Sequence, residues 1–179
     1  ILALTNAVNL IDGLDGLATG VTLISLVTMG IVGFFFLKSW QHYVPIMCIM
    51  LAACLLGFLP YNFHPAKIFL GDTGALYIGF MISVLSLKGL KNVTFVSLLV
   101  PILILGVPIT DTVYAMIRRK LNKKNISQAD KHHLHHQLMR MGLSHRQTVL
   151  AIYGISLIFS FVSLLSLVSP RWGIWLLIL

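Results

Sequence analysis

Long apolar runs separated by short polar clusters set the pattern of this chain. Ala18 to Leu37 is the first unbroken run, and the cluster from Lys38 to Tyr43 closes it. Val44 to Leu59 follows, and Pro60-Tyr-Asn-Phe-His-Pro65 is expected to break its helix, because proline lacks the amide donor and disfavours helical geometry in the residue before it. A polar re-entry, Ala66 to Gly74, precedes a short run, Ala75 to Leu87. Val93 to Ile117 is longer, with Pro101 and Pro108 inside it. Val149 to Val168 crosses once more, and Ser169-Pro-Arg-Trp172 turns the chain into a last run ending at Leu179.

Several of these runs approach the ~20 residues that span a bilayer, and none alternates as a membrane barrel strand would. The predicted fold class is therefore all-α: a polytopic integral membrane helical bundle with about six spans. Trp40 and Tyr43 suit the headgroup level. No internal repeat or inverted-repeat pattern is present.

Polar positions inside such a chain need a cause. In Thr5 to Gly20, Asn6, Asn9 and Asp12 recur every third residue, Asp15 follows three after Asp12, and Gly13, Gly16 and Gly20 form a neighbouring stripe. On a helix, one face is polar and the next can pack closely, and the two carboxylates can converge. Idle acids in lipid are costly, so a site for a hydrogen-bonding ligand or a cation is one reading. The other is a glycine-lined helix contact with capping aspartates.

Phe69-Leu-Gly-Asp-Thr-Gly74 sets Asp72 between two glycines at a membrane edge, where a hard cation can share carboxylate oxygen with a substrate phosphate. The alternative is an aspartate capping a helix that starts near Gly74. Asp130-Lys-His-His-Leu-His-His-Gln137 packs four histidines into five residues, with His145 and Arg146 shortly after. No companion cysteine or HExxH spacing points to zinc, and with lysines and arginines all around, an anion is the better partner. Asp111 lies before this segment and is expected either to pair with Arg118 or Arg119 or to act directly.

Composition sharpens the class. Hydrophobic residues make up 58% and charged ones 10%, against roughly 25% charged in a soluble domain. All five acids are aspartates. Cys48 and Cys54 share one apolar run and read as small hydrophobes. The net charge is +8, concentrated at Arg118, Arg119, Lys120, Lys123, Lys124, Lys131, Arg140 and Arg146, which marks residues 118–147 as a cytoplasmic basic, histidine-rich loop. Two runs separate Asp12 and Asp15 from Asp72, and two more separate Asp72 from this loop. All three motifs should therefore lie on one side of the membrane.

With those motifs in order, the chain resembles the polyprenyl-phosphate N-acetylaminosugar-1-phosphate transferases. NAVNLIDGLDGL resembles that family's NxxNxxDGxDGL motif, FLGDTG its F-x-GDxG motif, and DKHHLHHQL its histidine motif. PITDT and the following RRK are similar to the bacterial branch that acts on UDP-GlcNAc, including enzymes that initiate teichoic acid synthesis. The resemblance implies one membrane transferase domain over 1–179, multi-pass in the cell membrane, with its active site on the cytoplasmic face. It also implies Mg2+-dependent transfer of GlcNAc 1-phosphate from UDP-GlcNAc to undecaprenyl phosphate, with release of UMP; Mn2+ is an alternative cation.

Carried over residue by residue, the resemblance makes Asp72 the metal ligand, assigns catalytic roles to Asp12, Asp15, His133, His135 and His136 beside Asp72, and gives substrate binding to Asn6, Asn9 and Arg146. The implied partners are the lipid phosphate, the UDP-sugar and the bilayer, with no nucleic acid, and a homodimer is an admissible assembly.

The family's earlier DDxxD motif has no counterpart before Asp12. The chain, which opens at Ile1 and closes within an apolar run, is therefore expected to be a C-terminal fragment, inactive without its missing N-terminal spans. Two rivals stand beside this reading. A transporter or ion path would need acids near the bilayer midplane, whereas these fall at boundaries on one side. An intramembrane aspartyl protease, to whose sites Leu70-Gly-Asp-Thr is similar, would need a partnered aspartate in an adjacent span.

Overall fold

Among the described residues the apolar runs fold as helices, and the turns between α1 and α2 and between α3 and α4 bring distant motifs together. This computed structural model describes residues 1–36, 42–90, 106–121 and 134–168. They form seven helices and no strand: α1 (Leu2–Ile11), α2 (Leu17–Phe36), α3 (Tyr43–Asn62), α4 (Gly71–Leu90), α5 (Gly106–Leu121), α6 (Leu134–Arg140) and α7 (His145–Val168). Helices pair their own backbone groups, which is what hydrocarbon demands.

Among the described residues, three segments are long and apolar enough to cross a membrane: Leu17–Phe35, Tyr43–Asn62 and His145–Leu165. The protein is a polytopic helical membrane protein. Helix α4 matches α3 in length but carries Asp72 in its first turn and Lys88 in its last. Within their apolar windows α2 is 67% buried, against 28% for α3 and 33% for α7, so α2 is the central helix. It packs against α3, α7, α1 and α4, while α1 lies on α4 and α5.

Two apolar cores follow from this arrangement. One joins α2, α3 and α4 through Leu26, Met29, Cys48, Leu55, Ile78 and Ile82. The other joins the α1–α2 turn to α5 and α7 through Ile11, Leu17, Val21, Val107, Val149 and Ile152. Three of the hydroxyls buried in α2 are satisfied locally: Thr22 donates to the Ala18 carbonyl at 2.6 Å, Ser25 to Val21 at 2.9 Å and Thr28 to Ile24 at 2.8 Å. This bond to the preceding turn lets a polar residue sit in a span without a partner helix. Cys48 is buried and Cys54 exposed, both as free thiols.

The structure corrects the sequence expectation at several boundaries. Pro60 does not end its helix; α3 continues to Asn62 with Pro60 inside it. The proline gives up only its own amide bond, and the Phe63 amide still donates to the Leu59 carbonyl at 2.8 Å, so the last turn closes beyond it. The expected short span Ala75 to Leu87 is longer, because the helix begins at Gly71 and takes Asp72 into its first turn. The opening run is helical only to Ile11, with Asp12 as its C-cap. Residues 118–147 are not wholly loop, since α6 lies within them and α5 and α7 reach into them. Part of the expected span Val93 to Ile117, and the run after Ser169, fall outside the described residues.

Candidate functional site

Helix α1 delivers the first motif along one face, and the turn after it delivers the rest. Asn6 bonds back to its own helix, its Nδ2 donating to the Leu2 carbonyl at 2.8 Å. Asn9, one turn further on, reaches across to α4 and donates from Nδ2 to Asp72 Oδ1 at 3.1 Å. Asp12 closes α1, its amide bonding to the Asn9 carbonyl at 3.1 Å. Asp12 and Asp15 are therefore brought together by a turn rather than by a continuous helix. Gly16 makes that turn, with a φ of +80° that a side chain would strain.

The electrostatics show how closely the acids gather. Burial pushes the Asp12 carboxyl up to about 6, and the negative charges of Asp72 and Asp15 add to the rise. Carboxylate oxygens gathered in this way are hard donors of the kind that suits magnesium or manganese. Asp12 and Asp72 thus fit the hard cation expected from the sequence, with Asn9 orienting Asp72.

Asp15 turns to a different set of partners. Its Oδ2 accepts from His64 Nδ1 at 2.9 Å and from the Ala66 amide at 3.2 Å. Burial alone would raise its pKa, but the His64 bond, the Ala66 amide and the charge of His145 outweigh it and hold the carboxyl below its ordinary value. The His64 ring stacks on His145 with centroids 4.1 Å apart and planes 18° apart. Arg146 Nε donates to the His64 carbonyl oxygen at 3.1 Å. One possible ligand atom from each of Asp15, His64 and His145 lies within 4.8 Å of the others, the one such trio among the described residues.

The histidine segment closes over the same turn. His135 is 3% exposed, and a Cβ added at Gly13 would fall 2.6 Å from its Nε2, so glycine is what allows the ring this close. His136 lies beside it, ring centroids 4.2 Å apart. His133 lies outside the described residues. Asp111 Oδ1 accepts from the Leu134 amide at 2.8 Å, so it holds the start of α6. A bond to Arg118 or Arg119 lies outside the described side chains. Of the residues named from the sequence, Asn9, Asp12, Asp15, Asp72, His135, His136 and Arg146 are gathered around the α1–α2 turn. Asn6 is the member that bonds within its own helix.

The sequence profile of Glycosyl transferase family 4 matches residues 1–90, which contain the Asn9, Asp12, Asp15 and Asp72 cluster. The chain belongs to this family. It is 52% identical over 173 residues to the probable undecaprenyl-phosphate N-acetylglucosaminyl 1-phosphate transferase of Bacillus subtilis, an alignment covering 96% of this chain and 48% of that protein. It is 37% identical over 169 residues to the decaprenyl-phosphate N-acetylglucosaminephosphotransferase of Mycobacterium leprae, covering 85% and 42%. It is 38% identical over 169 residues to the phospho-N-acetylmuramoyl-pentapeptide-transferase of Clostridium botulinum, covering 92% and 48%. This glycosyltransferase family 4 chain spans about half the length of these curated relatives.

Within this candidate site, sequence reasoning missed His64. It sits in the segment read as a helix breaker, and no periodicity ties it to Asp15. The signal available was a histidine between two prolines, eight residues before Asp72, on the side that crossing parity assigns to the site. The link that carries it is held by Asn62, which accepts from Thr19 Oγ1 at 2.7 Å and donates to the Ile68 carbonyl at 3.0 Å.

Proposed function

We propose that the full protein transfers N-acetylglucosamine 1-phosphate from UDP-GlcNAc to undecaprenyl phosphate, at the cytoplasmic face of the cell membrane, and so initiates a cell-wall or surface polymer such as teichoic acid. The observation that carries this reading is the meeting of Asn9 and Asp12, at the end of α1, with Asp72, at the start of α4, beside the turn that seats His135. The names of the relatives support a polyprenyl-phosphate acceptor and an N-acetylaminosugar 1-phosphate group.

In this reaction an oxygen of the lipid phosphate attacks the sugar-bearing phosphorus of the donor. The bond from that phosphorus to the UMP oxygen breaks, and UMP leaves with the electron pair. A bound Mg2+ would neutralise the pyrophosphate and the charge that develops on the leaving group. Asp72, aligned by Asn9, and Asp12 would hold that cation. Asp15 would orient the nucleotide-sugar, while His135, His136 and Arg146 would meet the donor's phosphates. The soluble donor arrives from water and the acceptor from lipid, and helix ends at a membrane boundary are where both can reach.

The test is turnover by the full-length protein in detergent, with UDP-GlcNAc and undecaprenyl phosphate. UMP release should require Mg2+, and Asp72→Asn should lower it by about a thousandfold. Full activity of that variant, or in chelator, would sink the assignment. UDP-GlcNAc should outcompete other UDP-sugars as donor.

A further inference from the structure

Two segments far from Asp15 in sequence converge on it: the α3–α4 link through His64 and Ala66, and the start of α7 through His145 and Arg146. We propose that His64 and His145 are positioning residues, a stacked imidazole pair that fixes one oxygen of the Asp15 carboxylate and reserves the other for the donor nucleotide-sugar. This deepens the reading given under Proposed function and rests on it.

The geometry assigns each group a separate task. Asp15 Oδ2 is saturated by His64 Nδ1 at 2.9 Å and the Ala66 amide at 3.2 Å. Among the described residues Oδ1 accepts no hydrogen bond, so the carboxylate is held on one side and able to accept on the other. A carboxylate fixed by two donors cannot rotate, and a ligand donor then meets an oriented acceptor without the entropic cost of ordering it.

The His64 ring would itself rotate freely in an unsupported link. His145 restrains it face to face, at 4.1 Å and 18°. Arg146, the next residue, ties down the same backbone, bonding to the His64 carbonyl at 3.1 Å. Two successive residues at the first turn of α7 thus grip one histidine by its ring and by its peptide. The trio also has the makings of a borderline-metal site, two imidazoles and a carboxylate. Yet near-parallel rings would have to fan apart before both could aim a lone pair at one ion, whereas the bond to Asp15 is already formed.

The experiment separates hydrogen bonding from packing. Asparagine places its Nδ2 where histidine carries Nδ1, so His64→Asn keeps the donor and loses the ring; His64→Phe keeps the ring and loses the donor. In the full-length protein with saturating lipid, His64→Phe should raise KM for the UDP-sugar by about tenfold, while kcat and the KM for lipid stay within about twofold. His64→Asn should recover most of the loss, and His145→Ala should raise the donor KM in the same direction. Calorimetric titration of each variant with UDP-GlcNAc should show the same ranking without turnover.

If His64→Phe performs as well as His64→Asn, the ring only packs and the inference is overturned. Equal loss of kcat and of both KM values across the variants would likewise make it a general structural role. Stoichiometric zinc binding by the wild type, lost in His145→Ala, would reassign the trio as a metal site. A wild type that neither binds nor turns over UDP-GlcNAc would overturn the proposed reaction and this inference together, so the two failures are told apart by the wild-type control.

Discussion

Asn9 and Asp72, 63 residues apart, meet through a 3.1 Å hydrogen bond from the asparagine Nδ2 to the carboxylate Oδ1. That contact joins α1 to the first turn of α4 and engages one oxygen of Asp72, the carboxylate proposed to hold the cation. Removing the amide should leave the fold intact, since Asn9 lies on the rim of the packed face of α1 rather than within it. Asn9→Ala should raise the Mg2+ concentration for half-maximal activity by about tenfold, the scale of lost outer-shell support. Activity at saturating Mg2+ should fall much less. A Mg2+ titration of turnover in the full-length protein checks this, and an unchanged midpoint would refute a role for Asn9 in aligning Asp72.

The raised pKa of Asp12 makes a separate prediction about stability. Its carboxyl sits at about 6 in the folded protein against an ordinary value of 3.8. The folded state therefore binds this proton more tightly than the unfolded one. That advantage is complete below the unfolded value, declines as pH rises between the two, and is gone above the folded value. Near neutral pH, Asp12→Asn should raise the melting temperature of the metal-free protein, and the gain should vanish in acid. Magnesium should stabilise the wild type more than the variant. Thermal unfolding in detergent at acid and neutral pH, with and without Mg2+, measures all three.

The convergence of Asp12 and Asp72 was legible in the sequence because parity is robust. An even number of spans between two polar motifs returns them to one side whatever the exact helix ends. The helix class and the run Leu17–Phe36 were legible for the same reason, being set by long apolar stretches. Contacts that depend on a turn were not. The partner of Asp15 is 49 residues away at His64, and their meeting depends on the course of the α3–α4 link after Pro60, which the sequence reads as a stop. For Asp111 the sequence offered nearby arginines or a direct role, while its bond from the Leu134 amide, 23 residues away, is a contact that no neighbour in sequence makes visible.

Gly13 offers a test of whether the histidine segment belongs to the site. A methyl group there would fall 2.6 Å from His135 Nε2, so Gly13→Ala must displace the ring. Turnover should drop by about tenfold or more, as expected when a phosphate-facing group moves by around an ångström. Melting temperature should change little, because Gly13 is exposed. Gly154→Ala, with no atom within 4 Å of its added carbon, is the control and should leave turnover unchanged. Equal activity in both variants would detach His135 from the reaction.

The last prediction concerns how α6 is held. A helix of seven residues is too short to persist alone, so its position over Gly13 must come from tertiary contacts. Asp111, buried on α5, supplies one by accepting from the Leu134 amide at 2.8 Å, which satisfies a donor that the first turn of any helix leaves open. Asp111→Ala should cost about 1 kcal/mol locally, on the scale of a lost helix cap, and Asp111→Asn much less because its amide oxygen still accepts. Hydrogen exchange should therefore speed up across Leu134 to Arg140 in the alanine variant, with α2 and α3 unaffected. Turnover should fall in parallel, since His135 and His136 ride on α6. Faster exchange without loss of turnover would show that α6 need not be ordered for the reaction, and would take both histidines out of the site.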